Sequence, residues 1–234
     1  MKKYELTSET KVIDGVELHR IKALNSFGDI KEGNLGGWIE SEKNLSQDGN
    51  AWVGRYATVG GNAWVGENAM VFGNAVVCGN AIVCGNAIVC DNATVGGYAK
   101  VGGDAKVGGD AWVGGYAWVC ENAIVDRNAI VCGNAIVFGK AVVGGNATVG
   151  ENAWVRGNAV VRESADYIVF KNWWSSRRYF TWTRSNNKWS VGCFYGSGEE
   201  LIAKAYKDSE KSGREYERVV NYVESILKEE NNNK

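Results

Sequence analysis

From residue 50 to residue 163 the chain repeats itself every six residues, nineteen times in succession and without insertion. The unit reads Asn-Ala-x-Val-Gly-Gly, as in Asn62-Ala63-Trp64-Val65-Gly66-Glu67 and Asn80-Ala81-Ile82-Val83-Cys84-Gly85. Ala holds the second place and Val the fourth in all nineteen units, while Asn, Tyr, Asp or Lys holds the first. A period of six fits neither a heptad nor the 3.6-residue turn of an amphipathic helix. It fits a short strand, Ala-x-Val, followed by a three-residue turn, with Ala and Val on one side of the strand and x on the other. Small Ala and medium Val make a narrow core, and Gly and Asn in the turns accept left-handed backbone angles at little cost. The 234 residues include 31 Gly and no Pro, so no backbone N–H is missing from the ladders such strands need. Stacked turns of this kind predict a parallel β-solenoid.

A small residue, any residue, an aliphatic and then Gly or a small polar residue is a pattern that resembles the hexapeptide-repeat, left-handed parallel β-helix family. The resemblance implies a mainly β fold in which three hexads form one triangular coil of 18 residues, so that nineteen hexads make just over six coils. Residues 18 apart then stack. One face carries Trp64, Ile82, Lys100, Trp118, Ile136 and Trp154, and a second carries Trp52, Met70, Ile88, Lys106, Ile124, Val142 and Val160. The third carries Thr58, Val76, Thr94, Trp112, Ile130 and Thr148. Outward rows this apolar mark an interface. The family is commonly trimeric, which implies a homotrimer with Trp52, Trp64, Ile82, Ile88, Trp118, Ile124, Ile136 and Trp154 as its contacts. Good β-propensity is the competing reason for Ile, Val and Thr at these places, but it does not call for so many tryptophans.

Residues 1–49 predict a β cap for the solenoid, with strands around Tyr4-Glu5-Leu6 and from Val16 to Ile21 joined at Asp14-Gly15, and with Asn44-Leu45-Ser46-Gln47-Asp48-Gly49 as a degenerate hexad. The stretch from Gly36 to Ser46 resembles the opening segment of hexapeptide proteins often found in phage and prophage sequences. The regular coils occupy residues 50–164. Residues 165–234 change composition and predict a small α+β module. Its three strands fall at Asp166–Trp173, Arg178–Arg184 and Trp189–Tyr195. Two helices follow, opened by the capping-box patterns Ser197-Gly198-Glu199-Glu200 and Ser212-Gly213-Arg214-Glu215, and a frayed tail begins at Glu229.

Composition removes several functions. A net charge of −1 excludes a wholly basic nucleic-acid binder, and seven basic against eight acidic residues in the repeats exclude an acidic nucleic-acid mimic. The single histidine, His19, rules out a three-histidine zinc site and hence a γ-class carbonic anhydrase. Cys78, Cys84, Cys90, Cys120 and Cys132 all sit at the fifth place and no two are 18 apart, so no disulfide is expected within the prism. Reduced thiols, the absence of a signal-peptide apolar region and no membrane-length apolar run predict a cytoplasmic protein, in a bacterium or a phage-infected cell. The threonine row is too broken to match an ice lattice, and no phosphate-binding Gly-x-x-x-x-Gly-Lys motif occurs.

Many proteins of the resembled family transfer acyl groups from coenzyme A, usually through a histidine on or beside the coils. No coil here contains His, and nothing interrupts residues 50–163. The expectation is therefore a non-enzymatic binding or assembly protein with no cofactor and no metal. Residues 166–190 suggest where it binds: Lys171, Arg177, Arg178, Arg184 and Lys188 face only Asp166 in charge, and aromatics are interleaved among them. Lys171, Trp173, Arg178, Phe180, Trp182 and Arg184 form the candidate site, since cations beside flat rings suit a nucleotide, a nucleic-acid segment or another anion. The same rings could instead pack helices onto the sheet, and a host protein is a further candidate partner.

Overall fold

The computed structural model describes residues 2–232, in two compact units that divide at Ser164 and Ala165. In the first unit the hexads form nineteen two-residue strands, β4 (Trp52–Val53) to β22 (Val160–Val161), each of them the x-Val pair of one unit. Each strand from β4 to β19 pairs in parallel with the strand 18 residues on, as Thr94 with Trp112 and Trp112 with Ile130. Three sheets result, one per face of the coil. The hydrogen-bond ladder is regular: the N–H groups of Lys100, Gly102 and Asp104 donate to the carbonyls of Ala117, Val119 and Glu121 at 2.9, 2.9 and 2.7 Å. All nineteen Ala and all nineteen Val of the hexads are buried. Each fully buried Val contributes roughly 1.5–3 kcal/mol, so the narrow core is the main source of the unit's stability.

Seven layers stack on each face: the hexads supply all seven on one face and six on each of the other two. The missing layer of those two faces comes from residues that lack the Ala-x-Val signature. In β3 (Leu35–Ile39), Trp38 and Ile39 pair with Thr58 and Val59, and Leu45 bridges to Val65. The gap between them is closed by Asn44, whose buried side chain donates to the carbonyls of Gly61 (3.0 Å) and Ala63 (2.8 Å) and accepts from Ser41 N–H (2.9 Å). An amide side chain thus does what a strand's backbone does elsewhere.

The rest of the cap covers the other edges. Strands β1 (Tyr4–Ile13) and β2 (Val16–Ala23) form an antiparallel hairpin that extends the β3 sheet, turning at Asp14 and Gly15, both at positive φ as a two-residue type I′ turn requires. The Lys3 ammonium lies among the carbonyls of Asp48, Gly49 and Ala51 at 3.4, 3.4 and 2.9 Å, above the Phe27 ring. Burial lowers its pKa to about 8. Tyr4 donates its hydroxyl to the carbonyls of Leu45 (2.7 Å) and Glu42 (3.1 Å). An unpaired sheet edge is a template for aggregation, and here each edge at this end has a dedicated partner.

The second unit is an antiparallel sheet of four strands, β23 (Tyr167–Lys171), β24 (Tyr179–Thr183), β25 (Lys188–Val191) and β26 (Phe194–Gly196), followed by α1 (Gly198–Asp208) and α2 (Glu210–Asn232). The expected third strand is two strands, because Gly192 turns the chain at φ +55°. Phe180, Trp182 and Trp189 pack against Leu201, Ala205, Tyr216, Val220 and Val223 of the helices. Ser197 and Glu200 form the capping box of α1. The second helix starts earlier than the Ser212 pattern predicts: Ser209, extended, accepts the Ser212 N–H on its hydroxyl at 3.1 Å, and Ser212 lies within α2. The expected fray from Glu229 is helical to Asn232, and Asn233 and Lys234 lie outside the described residues. Among the described residues no helix is long and apolar enough to cross a membrane.

Candidate functional site

Two surfaces carry unusual side chains. The first is the outside of the prism. Coil stacking lines up the x positions as the register requires, with Trp64 on Ile82, Lys100 on Trp118 and Ile124 on Val142. Trp118 is 45% exposed and Ile124, Trp112 and Ile130 are exposed with it, whereas Trp64, Ile82, Ile88, Ile136 and Trp154 are half-buried between their neighbours. Trp52 is a correction. It is only 3% exposed, because Phe27 of the cap meets it edge-on at 5.5 Å, so it serves the chain's own core and is withdrawn as an intersubunit contact.

Four of the exposed aromatics gather at one corner. Trp112 and Trp118 flank the turn that holds Tyr116, and Tyr116 stacks on Tyr98 at 4.9 Å with the rings 8° from parallel. Elsewhere the first-place side chains form amide ladders, Asn50 to Asn68 to Asn86 to Asp104 at 3.1, 3.1 and 2.8 Å. At this corner tyrosines replace the amides. Lys100 sits over the Trp118 ring at 4.9 Å. No outward row of third-place residues reveals this cluster, because it joins first-place tyrosines to third-place tryptophans across a turn.

The five cysteines of the coils and Cys193 are free thiols. Cys78, Cys90 and Cys132 lie where a Cβ on the fifth-place glycine of the next coil would meet sulfur, at 3.3, 3.1 and 3.3 Å for Gly96, Gly108 and Gly150, so they are packing groups. Burial raises all five coil thiols, and Cys90, which also bonds Asp91, is pushed up to about 11. Among the described residues no group of His, Cys, Asp and Glu is placed to hold a metal. His19 is half-buried on β2, opposite Thr10 and Ile39.

The second surface is the connection between β23 and β24. The candidate site splits here. Phe180 and Trp182 are each 1% exposed and belong to the helix-covered face, with Trp182 Nε1 donating to Asn187 at 2.8 Å. Arg184 is paired with Glu230 of α2. These three are corrected from ligand contacts to core and helix-docking residues: strand alternation puts Phe180 and Trp182 on one face, and that face is the one the helices cover. Lys171, Trp173 and Arg178 remain at the surface. The hollow beneath α1, lined by Val191, Phe194, Lys204 and Asp208, holds about 130 Å³, below the roughly 300–1,000 Å³ of ordinary ligand sites, and a larger hollow of about 400 Å³ lies in the cap against Lys22, Leu24, Glu32 and Gly33.

With this geometry in hand, the chain is similar to proteins with the same kind of coil. The family described as the YdcK beta solenoid repeat matches residues 129–145. The uncharacterized acetyltransferase YdcK of Escherichia coli K12 is 38% identical over 61 residues, which is 23% of this chain and 19% of that protein. The chain thus matches about a fifth of the length of this curated relative. A crystal structure from Bacillus cereus, provisionally named an acetyltransferase and the product of its BC4754 gene, aligns with 80% of this chain and 96% of that one at TM-score 0.45 and 18% identity. The expectation of a non-enzyme is corrected by the YdcK relative: the shared repeat is found in a protein named for acetyl transfer. A coil without histidine does not remove that chemistry, since a base can stand outside the repeat.

Proposed function

We propose that the chain is an acetyltransferase-like β-solenoid that works as a homotrimer, its prisms packed side by side through their outward faces. The observation that supports assembly is the exposed set of Trp112, Trp118, Ile124 and Ile130 on coils whose inner core is already filled by Ala and Val. Trp112 and Ile130 lie on one face and Trp118 and Ile124 on the other two, and outward rows this apolar mark an interface. Acetyl transfer is supported by the name of the YdcK relative. His19, the single histidine of the sequence, lies on the cap hairpin and is the candidate general base.

The test compares wild type with Trp118→Glu/Ile124→Glu and with His19→Gln. Sedimentation velocity should give a trimer for wild type and for His19→Gln, and a monomer with unchanged far-UV circular dichroism for the double variant. Thiol release from acetyl-coenzyme A with an amine acceptor should occur with wild type and fall at least tenfold in His19→Gln. A wild-type monomer would overturn the assembly, and no thiol release across amine and hydroxyl acceptors would overturn the chemistry.

A further inference from the structure

The segment from Asn172 to Arg178 is built as a rigid display. Asn172 N–H donates to the Arg178 carbonyl at 2.8 Å and closes the connection. The Asn172 side chain is buried; its amide donates to the Tyr216 hydroxyl at 2.9 Å, and its oxygen accepts from the Ser175 N–H and hydroxyl at 2.8 and 3.1 Å. The adjacent tryptophans take opposite parts. Trp174 turns inward and meets Tyr216 edge-on at 4.9 Å, while Trp173 is 67% exposed. Arg177 holds the left-handed backbone, φ +56°, where glycine would be free of strain. A strained, exposed arginine in a braced loop points from an observed outlier to a role for its guanidinium.

The charges here are also unspent. Arg184, Lys188, Arg214 and Arg218 of the same unit each have a carboxylate within 4.0 Å. Lys171, Arg177 and Arg178 make no ion pair among the described residues, and Lys171 sits over the exposed Tyr179 ring at 5.5 Å. Three free cations and two exposed rings on one hairpin match a ligand that joins an anion to a flat, stackable ring.

We propose that this hairpin tip binds a phosphorylated nucleotide unit, with the base stacked on Trp173 and the phosphate held by Arg177 and Arg178. The contact is independent of acetyl transfer and of assembly through the prism faces. A free nucleotide and a single strand offer the same chemistry, and two probes separate them. Full-length protein is titrated with a fluorescein-labelled oligothymidylate, followed by anisotropy, and with ATP, followed by tryptophan quenching. Binding of either probe is expected; oligothymidylate alone identifies a strand and ATP alone a free nucleotide.

Trp173→Ala should weaken binding roughly 5- to 150-fold, the loss of one base stack. Arg177→Ala/Arg178→Ala should weaken it as strongly and flatten the dependence on salt, which for a single strand falls by about 0.7 in log–log slope per phosphate neutralised. Both variants should sediment as wild type does, since these side chains are exposed. Failure of both probes to bind, or unchanged affinity in either variant, would overturn the proposal. Equal competition by inorganic phosphate with no effect of Trp173→Ala would overturn it too, by leaving charge alone.

Discussion

Glu67, Asp91, Glu121, Arg127 and Glu151 stand at the sixth place of their hexads with φ between 54° and 61°. From Gly61 to Gly157 every other sixth place is Gly, also at positive φ. Two of the five exceptions are compensated: the carboxylates of Glu67 and Asp91 accept the N–H of Gly85 and Gly109, one coil on, at 2.7 and 2.9 Å. That bond holds the Asp91 carboxyl below its usual range. Glu121 and Arg127 show no such backbone bond among the described contacts, so Glu121→Gly or Arg127→Gly should stabilise the solenoid by about 1 kcal/mol, read as a higher denaturation midpoint. Asp91→Gly should gain less, because it also loses its bond. The thiols give a second expectation. Thiolate is the reactive form, and Cys90 is pushed up from 9.0 to about 11, by burial first and by Asp91 second. Iodoacetamide at neutral pH should label the exposed Cys193 and leave Cys90 intact, with Cys90 labelling rising only as pH approaches 11. Labelling of Cys90 at neutral pH as fast as Cys193 would contradict this packing.

Between elements, the informative contacts are those that finish the prism. Asn44→Ala removes both amide donors from the buried carbonyls of Gly61 and Ala63, and each buried group left unpaired costs roughly 1–3 kcal/mol. Loss of the first coil's protection in hydrogen exchange, with the middle coils unchanged, is the outcome expected of this variant. Gly37 has no room for a Cβ, which would collide with the carbonyls of Gly54 and Ala57 and with Val53, so Gly37→Ala should loosen the same coil. The regular coils were legible in the sequence because Ala and Val recur at fixed places. The extra layer was legible only in part: Asn44–Gly49 reads as a degenerate hexad, and its Leu45 does bridge to Val65, but the pairing of β3 and the side-chain closure by Asn44 leave no periodic trace. Trp52 shows the same limit: its row position is right, but Phe27 covers it from 25 residues away, through a loop closed by Phe27 and Ile30 pairing with each other. In the second unit, alternation places Phe180 with Trp182 correctly. Only the helices decide that this face is core and that the exposed cations are Lys171, Arg177 and Arg178.

At the scale of the whole molecule, a repeat that buries only Ala and Val inside must settle its larger side chains outside. Trp112, Trp118, Ile124 and Ile130 cost apolar exposure in a lone chain, and side-by-side packing would remove that cost. A cyclic arrangement also closes, whereas an unclosed one would grow into filaments. The cap at the start of the prism, with Lys3, Tyr4 and Asn44 spent on the last carbonyls, directs growth away from the sheet edges and toward the faces. Native mass spectrometry of the purified full-length chain tests this most directly. The expected spectrum shows a trimer as the dominant species, dissociating to monomer in Trp118→Glu/Ile124→Glu. A wild-type spectrum of monomer alone, at micromolar concentration and gentle activation, would contradict it.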